Sequence, residues 1–257
     1  MIGSTVLTLS YDGSGFAGFA RQPGLSTVQG EVEAALRTAL RREVGTVGAG
    51  RTDAGVHALG QVMSFAAMEA DPSTGQLLRS LNALTPRGIV VTGVRRAGAE
   101  FSARHSAVAR EYRYRIVPGP VPPLFTAPYA WSVPHALDLH AIREAATHLI
   151  GEHDFKSFCV TESARGMRTV RRLDLIEVSP EHILGEHAIT VRVTGNAFLH
   201  SMVRTIVGSL VEVGSGRRGP EWMAEVRAAC DRAAAGPTAP ARGLTLWHVS
   251  YPEECWL

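Results

Sequence analysis

From residue 5 to 11 (TVLTLSY) apolar and polar positions alternate with a period of two. This predicts a strand, ended by the turn residues Asp12-Gly13-Ser14-Gly15. The period then lengthens. Val28, Val32, Ala35, Leu36, Ala39 and Leu40 recur at helical spacing, predicting a helix over about 27–42, and Ser26 with Gln29 fits a capping box at its start. Apolar runs predict short strands near 44–49, 61–65 and 89–95, with a helix near 76–83 between the last two. A second set begins at 110–117, where Tyr112, Tyr114 and Ile116 alternate with Arg113 and Arg115. Residues 118–123 form a proline-rich loop, 139–150 a helix closed by Gly151, and 170–179 and 188–194 two further strands. The strongly apolar stretch 197–213 reads as a helix with Gly214 as its C-cap, and Pro220 opens another helix. After a loop at 233–242, residues 244–251 form the last strand, and no repeat of 20–50 residues is visible.

Helices and strands are mixed without strict alternation. The pattern predicts an α+β fold, a mostly antiparallel mixed sheet flanked by helices, in two similar halves over residues 1–100 and 101–257. A chain of 257 residues with 45% apolar residues can bury a sizeable core, and 19% charged residues is too few for a disordered chain. No apolar run approaches the ~18 residues that span a bilayer. Met1-Ile2-Gly3-Ser4-Thr5 has neither the basic start nor the cleavage site of a signal peptide. Cys159, Cys230 and Cys255 form no C-x-x-C pair and are too scattered for a disulfide framework. Secreted, membrane-spanning and zinc-ribbon classes are thereby excluded, and a soluble cytoplasmic protein is expected.

The net charge of +2 says little about partners, but the kind of cation and its placement say more. Lys156 is the only lysine among the 26 basic residues. A GC-rich genome accounts for such a bias, and so does a need for guanidinium forks that bind phosphate and stack on bases. Residues 95–115 hold Arg95, Arg96, Arg104, Arg110, Arg113 and Arg115 against only Glu100 and Glu111. Residues 165–172 hold Arg165, Arg168, Arg171 and Arg172 with no acid. Two basic clusters on a nearly neutral chain predict a polarised surface suited to a polyanion.

Two motifs fail on context. Gly13-Ser14-Gly15-Phe16-Ala17-Gly18 matches the dinucleotide fingerprint by letter, but Pro23-Gly24 interrupts it and the helix begins near Thr27, so no glycine opens a helix onto a pyrophosphate. His182-Ile183-Leu184-Gly185-Glu186-His187 lacks the zincin spacings and reads as a solvated loop. The stretch Gly48-Ala49-Gly50-Arg51-Thr52-Asp53-Ala54-Gly55-Val56-His57 is different. Its glycines allow tight turning and close approach to a ligand. Arg51 and Asp53, two apart, share one side of an extended segment, and an arginine beside a carboxylate keeps it ionised, ready to act as nucleophile or base. The same residues also suit a turn aspartate that caps a helix or pairs with Arg51 for stability.

GRTDAGVHALGQV closely resembles the central motif of the tRNA pseudouridine synthase A family, and the likeness runs through nearly the whole chain. YDGSGFAGFARQPGLSTVQGEVEAAL resembles the family's N-terminal stretch. FSARHSAVAREYRYRI, GEHDFKSF, NAFLHSMVRTIVGSLVEVG and APARGLTLWHVSYPEE resemble its later blocks, in the family's order. Phe19 and Ala20 depart from it, standing where the family usually has tryptophan and then glutamine.

The resemblance implies that Asp53 is the catalytic nucleophile, and that Arg51 pairs with it and takes the place of the target base as that base leaves the helix. It implies that Tyr112 stacks on the target uracil from the wall of an active-site cleft between the two halves. Tyr112 also reads as one of two alternating strand aromatics in a core. Arg204 matches the family's second active-site arginine, which salt-bridges the aspartate. It is a charge inside an apolar helix, in an i, i+4, i+8 stripe with His200 and Gly208, and it needs a partner unless it snorkels to water. By the same resemblance the substrate is tRNA, at uridines 38, 39 and 40 of the anticodon stem-loop. The protein is then a homodimer that works without cofactor or metal. Two other readings stand beside it: a non-catalytic RNA-binding module on the same scaffold, and a pseudouridine synthase acting on another RNA or on a free nucleotide.

Overall fold

The computed structural model describes residues 3–257, so Met1 and Ile2 of the N-terminal stretch lie outside the described residues. The order of elements is β1 (Ser4–Tyr11), α1 (Val28–Leu40), β2 (Val47–Gly48), β3 (His57–Ala66), α2 (Thr74–Leu84), β4 (Ile89–Ala97) and β5 (Ala109–Pro118). It continues with β6 (Trp131–Val133), α3 (Leu139–Thr147), β7 (Gly151–Asp154), α4 (Thr161–Ala164), β8 (Val170–Ile183), β9 (Glu186–Gly195), α5 (Met202–Gly214), α6 (Trp222–Ala229) and β10 (Leu244–Ser250). The protein is α+β. It divides into two compact units, Met1–Arg110 with Leu246–Leu257 and Glu111–Thr245, so the C-terminal strand returns to the first unit instead of closing the second.

In the first unit the strands run β4-β1-β3-β10, and β2 lies against β3. β1 pairs antiparallel with both β3 and β4. Leu7 and Leu9 of β1 are fully buried with Val32 and Leu36 of α1 and Leu77 and Leu81 of α2, the side chains that the helical period placed on one face. Leu9 pairs with Gln61 but Tyr11 pairs with Ala58, so β3 carries one residue more than β1 between these pairs. Such a bulge re-aims the side chains on either side of it. α1 begins one residue later than the capping-box reading. Thr27, not Ser26, is the N-cap, its side chain accepting from the Gly30 amide, while the Ser26 hydroxyl donates to Glu31. The capping box is at α2 instead, where Ser73 and Gln76 satisfy each other's backbone amides.

In the second unit the order is β5-β9-β8-β7, with β6 parallel to β5 and the β7–β8 and β8–β9 pairs antiparallel. β8 and β9 form a hairpin closed by Leu184 and Gly185, both at positive φ (50° and 84°), as a type I′ turn requires. α3 is capped by Asp138 and packs on α5, most of whose residues are buried. α5 starts at Met202, five residues later than the apolar run, because Ser201 takes a left-handed conformation (φ 58°) that no helix tolerates. His200 therefore lies outside the helix, and the stripe it was expected to form with Arg204 and Gly208 does not exist. Gly214 is helical, with Ser215 in the cap position.

Candidate active site

The segment from β2 to β3 is tied down at nearly every residue. The Ala49 amide donates to the Val62 carbonyl (2.8 Å), and the Ala49 carbonyl accepts from the Arg110 guanidinium (3.1 Å). The Gly50 carbonyl accepts from the Gln61 side-chain amide (2.9 Å). Thr52 points inward, its hydroxyl 2.8 Å from the Tyr11 phenol, and its carbonyl accepts from the Phe19 amide (3.0 Å). The Asp53 carbonyl accepts from the Val56 amide (3.1 Å), which closes a turn with Gly55 at φ +78°, the left-handed position where glycine is favoured. Arg51 is exposed and Asp53 half-buried, on either side of the buried Thr52. The Arg51 and Asp53 side chains thus stand on a backbone fixed by hydrogen bonds.

The glycine-rich loop after β1 forms that base. Gly13 lies against Val56: a Cβ on it would stand 2.0 Å from the Val56 carbonyl oxygen. Its amide donates to Nδ1 of the buried His57 (3.1 Å), and Nδ1 also lies 3.2 Å from the Asp12 carboxylate. Gly13 and Gly18 of the run GSGFAG, the latter at φ +99°, therefore serve close backbone approach to Val56 and Thr52, whereas Gly15 has open space around it. Phe19, the departure from the family's usual tryptophan, is 2% exposed, stacks on Tyr11 at 6.5 Å and covers Gly48. Its side chain is packing beneath the Asp53 loop. Ala20, the second departure, is half-buried beside it.

Tyr112 and Arg204 lie in the second unit. Tyr112 is 7% exposed, on the same face of β5 as the fully buried Tyr114 and Ile116, and meets Phe198 edge-on at 5.0 Å. Tyr114 is the core residue of the pair: its hydroxyl donates to the Pro240 carbonyl, and burial pushes its pKa well above the usual phenol range. Arg204 is half-buried on α5 and braced against Ala239, its Nε donating to the Ala239 carbonyl (2.8 Å) and its own carbonyl accepting from the Ala239 amide (3.1 Å).

The two arginine clusters differ once folded. In the first, Arg96 donates to Thr5 and Pro72, Arg110 to the carbonyls of Ala49, Arg104 and Ala107, Arg113 to Glu111, and Arg115 approaches Glu181 at 3.5 Å. Glu111 is partly buried, which alone would raise its pKa, but hydrogen bonds from Arg192 and Arg113 hold it below the usual range. Much of this cluster braces the protein itself. In the second, Arg165 and Arg168 are exposed, and so is Arg172, which pairs with Asp174 at 2.8 Å. Arg171 is bonded back to the carbonyls of Arg168 and Val170, so the cationic surface this turn offers a phosphate backbone is chiefly that of Arg165 and Arg168.

The string 182–187 is not a loop. His182 and His187 face each other across the hairpin, Nε2 to Nε2 3.2 Å, while Glu186 turns away to accept from the amides of Leu124, Phe125 and Thr126 and from the Thr126 hydroxyl. Among the described residues no group of three or more ligating side chains gathers.

Comparison with known proteins bears on this arrangement. The family model described as tRNA pseudouridine synthase matches residues 8–105 and 145–252. A tRNA pseudouridine synthase A of Brevibacillus brevis is 45% identical over 245 residues, 95% of this chain and 97% of its own. One of Bacillus subtilis is 42% identical over 248 residues, covering 95% and 97%. A solved Cbf5-Nop10-Gar1 complex aligns with 80% of this chain and 45% of its own, at 18% identity and a TM-score of 0.36.

Proposed function

The chain belongs to the tRNA pseudouridine synthase family, a family of isomerases, and from that premise we propose that it converts uridine to pseudouridine at positions 38, 39 and 40 of the tRNA anticodon stem-loop. The observation that carries the proposal is the half-buried Asp53, two residues from the exposed Arg51, on a segment held at residues 49, 50, 52 and 53. In this reaction the N1–C1′ bond breaks, the uracil turns over, a C5–C1′ bond forms, the C5 hydrogen leaves to water as a proton, and N1 takes up a proton in its place. No electrons or groups are exchanged with a second reactant. Asp53 is the catalytic carboxylate at the ribose–base junction, and attack at C1′, addition at C6 and removal of the C2′ proton all place it there. Arg51 pairs with that carboxylate and fills the gap left by the flipped nucleotide, Tyr112 stacks on the detached uracil, and Arg204 is the second arginine to the aspartate.

Flipping a nucleotide costs a few kcal/mol, which phosphate contacts from exposed arginines such as Arg165, Arg168 and Arg172 offset. Recognition is then by backbone and shape, since an RNA helix hides its base edges. The resemblance supports a cytoplasmic homodimer as the working form. Among the described residues no helix is long and apolar enough to cross a membrane. The test is to treat tRNA transcripts with the protein and map pseudouridine by nucleotide-resolution mass spectrometry. Modification confined to 38, 39 and 40, and lost when those uridines are replaced by cytidine, is expected. Modification elsewhere, or of free uridine monophosphate, contradicts the assignment.

A further inference from the structure

Beneath the Asp53 loop lies a chain of three buried polar residues, Gln61, Tyr11 and Thr52. Gln61 is fully buried on β3, where its neighbours Val62 and Met63 show that apolar side chains suit the environment. Its amide nitrogen has two protons to give. One goes to the Gly50 carbonyl at 2.9 Å and the other to the Tyr11 phenol at 3.3 Å. The Tyr11 phenol in turn shares a hydrogen bond with the Thr52 hydroxyl, 2.8 Å away, in which either oxygen can donate. The chain thus runs from β3 through β1 to the loop and grips it at residues 50 and 52. Those residues stand on either side of Arg51, and the second immediately precedes Asp53.

Burying such groups costs stability unless every one is bonded, so a stretch chosen for stability alone is filled by apolar residues. What the polar chain supplies is direction. Apolar packing resists compression but does not fix the rotation of a peptide unit, whereas a hydrogen bond to the Gly50 carbonyl and another to the Thr52 side chain do. The bulge between β1 and β3 lies between the Leu9–Gln61 and Tyr11–Ala58 pairs, at the root of both side chains. We propose that Tyr11 and Gln61 are positioning residues of the reaction, which hold Asp53 and Arg51 in reactive geometry through Thr52 and the Gly50 carbonyl without touching the uridine. The proposal rests on the reading of Asp53 as the catalytic carboxylate. Burial pushes the Tyr11 phenol up to about 12, against the smaller effect of its hydrogen bonds to Thr52 and Gln61, so the chain keeps its protons at any working pH.

The deciding variant is Tyr11→Phe, which deletes one oxygen and keeps the ring on Phe19. Single-turnover tritium release from tRNA labelled at uracil C5 is measured well below the melting temperature, beside tRNA affinity. Misplacing a catalytic group by about 1 Å costs on the order of 100-fold in rate, so a fall of about 10- to 100-fold is expected, with tRNA affinity unchanged within about twofold. Thr52→Val gives a similar fall and Thr52→Ser, which retains the hydroxyl, recovers most of it. The Tyr11→Phe/Thr52→Val double variant loses little beyond either single one, because both break the same link. If Tyr11→Phe fails to fold, the Val and Ser variants at Thr52 make the comparison alone. A wild-type rate in Tyr11→Phe or Thr52→Val, or losses that multiply in the double variant, overturns the proposal. Failure of the wild type itself to release tritium overturns instead the functional reading beneath it, and the clamp as a catalytic device falls with it.

Discussion

Asp53 sits on a backbone fixed by hydrogen bonds, so replacing its charge alone tests its role. Asp53→Asn keeps the size and the turn to Val56. It is expected to lower the rate of pseudouridine formation by at least about 100-fold while tRNA binding survives, and equal rates contradict the role given to it. Gly13 makes the opposite kind of prediction. Gly13→Ala drives a methyl against the Val56 carbonyl and is expected to cost about 1–3 kcal/mol, seen as a melting temperature several degrees lower. An unchanged melting temperature removes the account of the glycine run. The candidates Asp53, Arg51, Tyr112 and Arg204 were nameable from the sequence because their motifs carry a family resemblance. The support under Asp53 was not. Tyr11 reads as an ordinary strand residue and Gln61 as a polar interruption of an apolar strand, since a hydrogen bond between residues 50 apart leaves no periodic trace. Phe19 stood out only as a departure from the family, and its packing role needed the fold.

The strand and helix periods predicted most elements, and the differences have local causes. β2 shrinks to two residues because the chain beyond it leaves the sheet to form the Asp53 loop. α5 starts late because of one left-handed serine, and no hydrophobic pattern encodes that. The string at 182–187 reads as a loop in the sequence because Leu-Gly gives only a weak turn signal and the strands on either side are partly polar. Within that hairpin Glu186 shows what its end is for. Although exposed, its carboxyl is held down to about 2, first by the Thr126 hydroxyl and then by the amides of Phe125, Leu124 and Thr126. Its folded value lies below its unfolded one, so the stabilisation is present above the ordinary carboxylate range and is lost as the pH falls toward 2. Glu186→Gln is expected to speed hydrogen exchange at Leu124–Thr126 at neutral pH, and unchanged exchange there contradicts this anchoring.

For the whole molecule, charge and burial set the limits of stability and of binding. Burial raises the pKa of Tyr11, Tyr114 and Tyr251, most strongly for the last two. A raised folded value stabilises the protein fully below the unfolded phenol pKa of about 10, and this contribution is lost as the pH rises through the folded values. Alkaline titration should therefore show stability falling from about pH 10 upward, with three of the five tyrosines ionising only together with loss of tertiary structure. More than two tyrosinates formed in a protein that remains folded near pH 10 contradicts that burial. Composition pointed to a polyanion partner, but it did not reveal that much of the first arginine cluster is bonded to the protein's own carbonyls and carboxylates. That division depends on partners distant in sequence, such as Arg115 with Glu181. The central claim, that this chain isomerises uridine in tRNA through Asp53, is tested most directly by tritium release from C5-labelled tRNA with wild type and Asp53→Asn side by side. The account predicts release by the wild type and almost none by the variant at equal tRNA binding. Release by neither protein, or by both at the same rate, would contradict it.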